Sequence, residues 1–295
     1  MTYYQFVEAV ENRVKGEVEK SVSVHSYTAS KNNGTVRRGI LLQKEGTNIS
    51  PIIYLEEFFE QFKDGSTMEY IIEDILRLYR EVSFQKPWKG KNIKTYEEIE
   101  DRIVYRLVNH KANEKMLEKM PYVPYLDLAV VFYVLLEAGR FGTASMAVCK
   151  EHLKLWGVSE EELYESAKEN TRRLLPDDFC TMSAVIEELT MQEPEFPEGE
   201  TEDVMYVLSN NIRSYGAAAI LYPGRLEAIG AYLQSSYYVL PSSVHEVIIV
   251  PEKELSEKSM LSAIVREINE THVRAEDVLS DHAYYYDRRR NELKK

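Results

Sequence analysis

The stretch YYVLPSSVHEVIIVPE at 237–252, followed by LSDHAYYYD at 279–287, decides how this chain is read. Residues 237–240 and 245–250 are rich in β-branched and aromatic side chains and read as two strands, with Pro241-Ser242-Ser243 as the turn between them. Two short apolar runs lead into this block, MYVLSN at 205–210 and AAAILYP at 217–223, and they read as strands over 204–209 and 217–222. Helices are expected at 224–234 and 256–270. Together these elements predict a small, mainly antiparallel sheet covered by helices.

The same block concentrates chemistry-bearing residues. Ser243 and His245 fall on one face of an extended segment, and Asp281 can approach from the next one, so a Ser–His–Asp site is the candidate for hydrolysis or phosphotransfer. No G-x-S-x-G elbow accompanies it, and hydroxyls before a strand ordinarily satisfy nearby backbone groups. His245-Glu246 starts like a zinc-protease motif but continues Val-Ile-Ile, without the second histidine four residues on, which excludes that route. His245, His272, Asp281 and His282 have no spacing that fixes a metal geometry, so neither a metal nor a cofactor is expected. Tyr284, Tyr285 and Tyr286 are candidates for an aromatic binding surface, and Arg288 to Arg290 beside them supply the cations that base stacking would need.

Upstream, Phe6, Val10, Val14 and Val18 recur every four residues and predict an opening amphipathic helix. Val22 and Val24 alternate with polar residues, and VRRGILLQ at 36–43 resumes a strand pattern beyond Asn33-Gly34, which predicts a β-hairpin because both turn residues tolerate positive φ. Ser50-Pro51 reads as the start of a helix whose stripe includes Phe58, Phe59 and Phe62, core residues rather than a cofactor box, and a further helix spans 67–82. Thr95 with Glu98, and Ser159 with Glu162, have capping-box spacing and predict helices from about 96 and 160. Between them, YLDLAVVFYVLL at 125–136 reads as a buried strand, and Gly139-Arg140-Phe141-Gly142 as a strand-to-helix turn that lacks the pattern needed to cradle a diphosphate. EELTMQEPEFPEGETED at 187–203 holds eight acidic residues, no basic ones and two prolines, and reads as a linker between a mostly helical region, 1–186, and an α+β region, 204–295.

Composition narrows the classes. The 295 residues are 44% hydrophobic and 29% charged, which predicts a globular chain with a substantial core. Forty-nine acidic against 36 basic residues give a net charge of −13, so steering toward nucleic acid is not expected. The basic clusters Arg37-Arg38, Lys86 to Lys94 and Arg288 to Arg290 are short and read as solvated surface. Residues 1–20 carry charge throughout and do not read as a secretory leader, and the longest apolar run, 126–139, is too short to span a bilayer at roughly 20 residues. Cys149 and Cys180 are expected in helix-like segments as buried small hydrophobes in a reducing cytoplasm.

KNNG at 31–34, ISPIIYLEEFF at 49–59, AAAILYP at 217–223, LPSSVHEVIIVP at 240–251 and VLSDHAYYYD at 278–287 together resemble the bacterial domain-of-unknown-function family 5688, known mainly from gut Firmicutes. The resemblance implies no activity and transfers no functional residue. The expected protein is therefore α+β, cytoplasmic and non-catalytic, a binding or regulatory module whose partner is another protein. A Ser243/His245/Asp281 enzyme and a nucleic-acid binder using the Arg/Tyr segment are the alternatives.

Overall fold

The computed structural model describes residues 1–47, 50–82, 95–139, 142–190, 205–254 and 258–295. Its contacts divide the chain into two compact units, residues 1–90 and 91–295.

In the first unit, helix α1 (Tyr3–Glu17) starts at a reciprocal cap in which Thr2 Oγ1 accepts from Gln5 N–H and Gln5 Oε1 accepts from Thr2 N–H. Strands β1 (Val22–Ser30) and β2 (Val36–Lys44) form the expected hairpin, with Asn33 and Gly34 at φ 57° and 69° in its turn. Strand β3 (Ile52–Tyr54) adds to β2, followed by helices α2 (Glu56–Lys63) and α3 (Met68–Val82). Ser50-Pro51 thus precedes an edge strand rather than opening a helix. Proline is tolerated there because it precedes the strand: its carbonyl accepts from Leu42 N–H at 3.2 Å, and the N–H it lacks removes a bond only at the end of the ladder. Phe6, Val10, Val14, Val24, Ile40, Leu42, Ile53, Ile71 and Ile75 close over one another as the core.

The second unit opens on β4 (Ile103–Asn109) and the short helix α4 (Glu114–Leu117). Next come β5 (Tyr122–Tyr125), β6 (Leu128–Gly139) and β7 (Gly142–Ala147). These strands form an antiparallel sheet in which β6 pairs with β4 on one side and with β5 and β7 on the other. The aliphatic run is a strand, as expected. Thr95 and Glu98 start no helix. Ile99 and Glu100 N–H both close on Tyr96 O in a single turn, and the β-branched run at 103–108 then extends. Gly139 and Gly142 pair across a strand-to-strand turn, not the expected strand-to-helix one, whose tip, 140–141, lies outside the described residues.

Helices α5 (Lys150–Trp156) and α6 (Glu160–Leu174) follow, and Ser159 and Glu162 do form the capping box that starts α6. Thr171 Oγ1 on α6 accepts from Tyr105 N–H at 3.0 Å, satisfying a backbone donor on the outer strand β4. Then come β8 (Asp177–Thr181), α7 (Met182–Thr190), β9 (Tyr206–Asn210) and α8 (Arg225–Leu233). The chain continues through β10 (Tyr237–Leu240), β11 (Val247–Pro251), α9 (Lys258–Thr271), β12 (Tyr284–Asp287) and β13 (Glu292–Lys294). The second sheet has the order β13-β12-β10-β11-β9-β8, antiparallel throughout.

The protein is α+β as expected, with one shift in organisation. Strand β8 lies before the acidic stretch at 187–203 and β9 after it, and they pair from Asp177↔Asn210 to Thr181↔Tyr206, so residues on both sides of that stretch share one sheet. Most of the stretch, like the lysine cluster at 86–94, lies outside the described residues. Ile103, Tyr105, Leu107 and Phe132 from the first sheet meet Leu208, Val239, Ile249 and Tyr284 from the second in one core, sealed by Leu163 and Ala167 of α6. On the far side of the second sheet, Leu261 and Val265 of α9 cover Leu240 and Val250.

AAAILYP is not a strand. Residues Gly216–Leu221 form a buried 3-10 segment, which alanine favours over extension and whose small side chains let it lie close to its neighbours. At Gly216 a Cβ would lie 2.2 Å from Ser209 Oγ, 2.5 Å from Asn210 N and 2.6 Å from His245 O. Because two of these three are backbone atoms, Gly216→Ala is expected to cost about 1–3 kcal/mol in urea unfolding. A variant as stable as the native protein would refute this close approach.

Candidate functional site

Ser243, His245 and the 277–281 segment do come together, in an arrangement different from a catalytic triad. The stretch 241–245 runs antiparallel to 277–280: Val244 N–H donates to Asp277 O at 2.8 Å, Leu279 N–H to Ser242 O at 3.1 Å and Ser280 N–H to Pro241 O at 2.9 Å. Proline and the two serines are thus a paired segment as well as a turn. Ser242 and Ser243 are buried, and Ser243 Oγ accepts from the His245 backbone N–H at 3.0 Å, a local serine turn.

The imidazole is used on both sides. His245 Nδ1 accepts from Tyr215 N–H at 3.3 Å, and Nε2 faces Asp277 Oδ1 at 3.2 Å. With Nδ1 accepting, the proton sits on Nε2 and is donated to Asp277. No ring nitrogen remains to take a proton from Ser243. Asp281, the expected carboxylate, is exposed and accepts from Asn269 Nδ2 at 2.8 Å instead. Register explains the substitution of one aspartate for the other: pairing 244 with 277 carries Asp277 to the histidine and leaves Asp281 beyond the paired residues.

The tyrosines are likewise placed by strand alternation. Tyr284 and Tyr286 point into the core and are closed to any ligand, with Tyr286 stacked on Tyr237 at 4.7 Å, while Tyr285 alone faces outward and donates to Glu252 at 3.0 Å. The candidate three-ring surface is therefore one half-exposed ring, with Tyr284 and Tyr286 packed in the core. Arg288, Arg289 and Arg290 are exposed. Tyr284 Oη donates to Asp127 Oδ1, and Ser280 Oγ donates to Asp127 Oδ2 at 2.9 Å. Burial alone would raise the Asp127 carboxyl, but these two bonds and the Lys295 ammonium at 3.3 Å reverse it and hold the group below the usual carboxylate range. Burial, and then the Asp127 charge, push the Tyr284 phenol far up.

Cys149 and Cys180 are free and half-buried rather than buried. Cys149 precedes α5 and Cys180 lies on β8; burial, followed by Glu151 and Asp178 respectively, pushes both thiols up and away from nucleophilic thiolate. Among the described residues, no three His, Cys, Asp or Glu side chains converge as a metal would require. His272 is exposed and bonded to Thr271.

One constellation escaped sequence reading. Arg106, on β4, is only 6% exposed, and its guanidinium lies over the ring of Tyr133 at 4.1 Å and over that of Tyr215 at 3.8 Å. Its Nη2 donates to Thr143 Oγ1 at 3.0 Å and Ser145 Oγ at 2.8 Å, and no carboxylate pairs with it among the described residues. Desolvating the charge costs several kcal/mol. Two cation–π contacts of about 2 kcal/mol each and two charge-assisted hydrogen bonds of about 1.5–3 kcal/mol each are large enough to offset it. Tyr215 also stacks toward His245, with ring centres 5.5 Å apart, so Asp277, His245, Tyr215, Arg106 and Tyr133 form a continuous layer. Tyr215 sits at φ 55° and Arg213 at φ 49°, left-handed backbone held in place by Asn210, whose side chain bonds Ile212 N, Ser214 N and Ser214 O. The one sequence signal was a charged residue at an inward position of an otherwise apolar strand, IVYRLV.

These features define a two-unit α+β protein whose polar residues are largely engaged with one another. The chain belongs to DUF5688, a family of unknown function, whose sequence profile matches residues 3–288. No curated protein and no solved structure matches it.

Asp127→Asn is expected to lower stability at neutral pH by about 1–3 kcal/mol. A depressed carboxyl contributes stability above its unfolded pKa and loses it as pH falls through the lower folded value, so the native protein should shed this contribution below pH about 4. The variant should lack that part of the acid limb in denaturant melts across pH. Parallel stability–pH curves would show that Asp127 does not titrate as described.

Proposed function

We propose that this chain is a non-catalytic binding or regulatory module that acts by engaging another protein. The observation that carries the reading is an aromatic wedge at the outer strand of the six-stranded sheet. Phe179 of β8 and Tyr206 of β9 stack at 5.2 Å, and Tyr232 of α8 stands at 89° to both, 5.9 Å away, while remaining 66% exposed. A tyrosine held upright by two other rings loses little conformational freedom on contact, and such rings dominate the energetics of protein interfaces. The Arg225–Asp177 ion pair at 2.9 Å fastens α8 to β8 beneath it.

The state of the Ser/His/Asp candidates supports a role without turnover. Ser243 is buried, both nitrogens of His245 are engaged, and Asp281 is held by Asn269. Among the described residues no helix is long and apolar enough to cross a membrane.

The test is gentle affinity purification of the native chain and of Tyr232→Lys from host lysate, read by native mass spectrometry. Tyr232→Lys gives up edge contacts with Phe179 and Tyr206 worth about 0.5–1.5 kcal/mol each, so the variant should melt a few degrees lower and remain folded. A defined protein partner retained by the native chain and weakened by roughly tenfold or more in the variant is the expected result, as for a hot-spot tyrosine. Equal retention would remove Tyr232 from the interface. Turnover of a substrate by the purified protein, abolished by His245→Ala with the fold intact, would replace this reading with an enzymatic one.

A further inference from the structure

We propose that Arg106 is a recognition site for an oxyanion, a carboxylate or a phosphate group bound edge-on to its guanidinium. This is independent of the Tyr232 interface. The rings of Tyr133 and Tyr215 lie 4.1 and 3.8 Å from its guanidinium carbon, and the N–H donors around its edge are the groups an anion would take. Edge-on is the direction from which carboxylates and phosphates take paired N–H donors.

Three further observations support the assignment. Arg106 is 94% buried, taking its 6% exposure from the whole, and no Asp or Glu among the described residues neutralises it, whereas arginines this deep are ordinarily paired. Thr143 and Ser145 accept from Nη2, and among the described residues neither hydroxyl donates to another group, so each has a proton to offer an anion beside the arginine. The site is also already assembled: Tyr215 is held by its N–H on His245 Nδ1, the imidazole is held by Asp277, and the preceding loop is tied by Asn210. Binding would therefore need little ordering of the site.

The net charge of −13 disfavours long-range attraction of anions, so affinity would come from local contact and depend weakly on salt.

The experiment uses the full chain with isotope-labelled arginine, titrated separately with inorganic phosphate and with acetate, chloride holding ionic strength constant. The expected result is a saturable shift of the Arg106 N–H signals, identified by their loss in Arg106→Lys. Saturation by acetate alone assigns a carboxylate ligand, and saturation by phosphate alone a phosphate. The double variant Thr143→Val, Ser145→Ala keeps the arginine and should bind roughly tenfold more weakly, as expected for lost charge-assisted hydrogen bonds. The proposal is overturned if neither anion moves the Arg106 signals saturably, or if the same shifts at neighbouring residues persist in Arg106→Lys. Should Arg106→Lys fail to fold, unchanged affinity in the Thr143/Ser145 variant overturns it equally.

Discussion

The larger unit depends on one carboxylate. Asp127 sits in the turn between β5 and β6, and it accepts hydrogen bonds from Ser280 and Tyr284 at the entrance to β12. That pair of bonds fastens the turn of one sheet to the start of β12, an inner strand of the other, and the residues before it. Asn109, at the end of β4, adds a bond from Nδ2 to Leu279 O at 3.0 Å, and Asn269 of α9 reaches Ser280 O at 3.0 Å. Sheet, sheet and helix therefore meet around residues 279–284, and the apolar core between the sheets can close only because these polar groups are satisfied at its rim.

The same economy explains why a chain rich in serine, histidine and aspartate in one block does not assemble a triad there. A general base needs a nitrogen with a free lone pair beside the nucleophile, and His245 has given that lone pair to a backbone N–H. Its role is to hold Tyr215 in left-handed backbone, a conformation that a bulky residue adopts only when its surroundings over-determine it. Ser209 strengthens the hold by donating to His245 O at 2.7 Å, and Gly216 makes room for that bond.

Much of this was legible in the residues, and what was not depended on distant partners. The Asn33-Gly34 turn, the Ser159/Glu162 cap and the β-branched and aromatic runs at 237–240 and 245–250 are local signals; the turn and the cap form as read, and both runs become strands, the second starting at Val247. Thr95 and Glu98 carry the same spacing as Ser159 and Glu162, but the residues after them are β-branched and have a sheet to join, so the cap was overridden. Whether His245 meets Asp277 or Asp281 turns on the register of two segments more than thirty residues apart, which spacing cannot supply. Three consecutive aromatics give no inward direction by themselves, so the tyrosine run admits a binding-surface reading and a core-packing one alike. Neighbours on both sides of β12 set that direction.

Arg106 completes the contrast between the whole and the part. The chain as a whole is acidic, yet its buried guanidinium is surrounded by rings and hydroxyls rather than carboxylates. A structural need for a bridge between β4 and β7 would be met as well by an apolar side chain, without the desolvation that a cation requires. An arginine held against two tyrosines, one of them in left-handed backbone, is a specific arrangement in which rings and hydroxyls offset the desolvation. Its physical consequence is a fixed positive edge in low-dielectric surroundings, where a charge acts strongly on whatever lies against it and weakly on anything farther away.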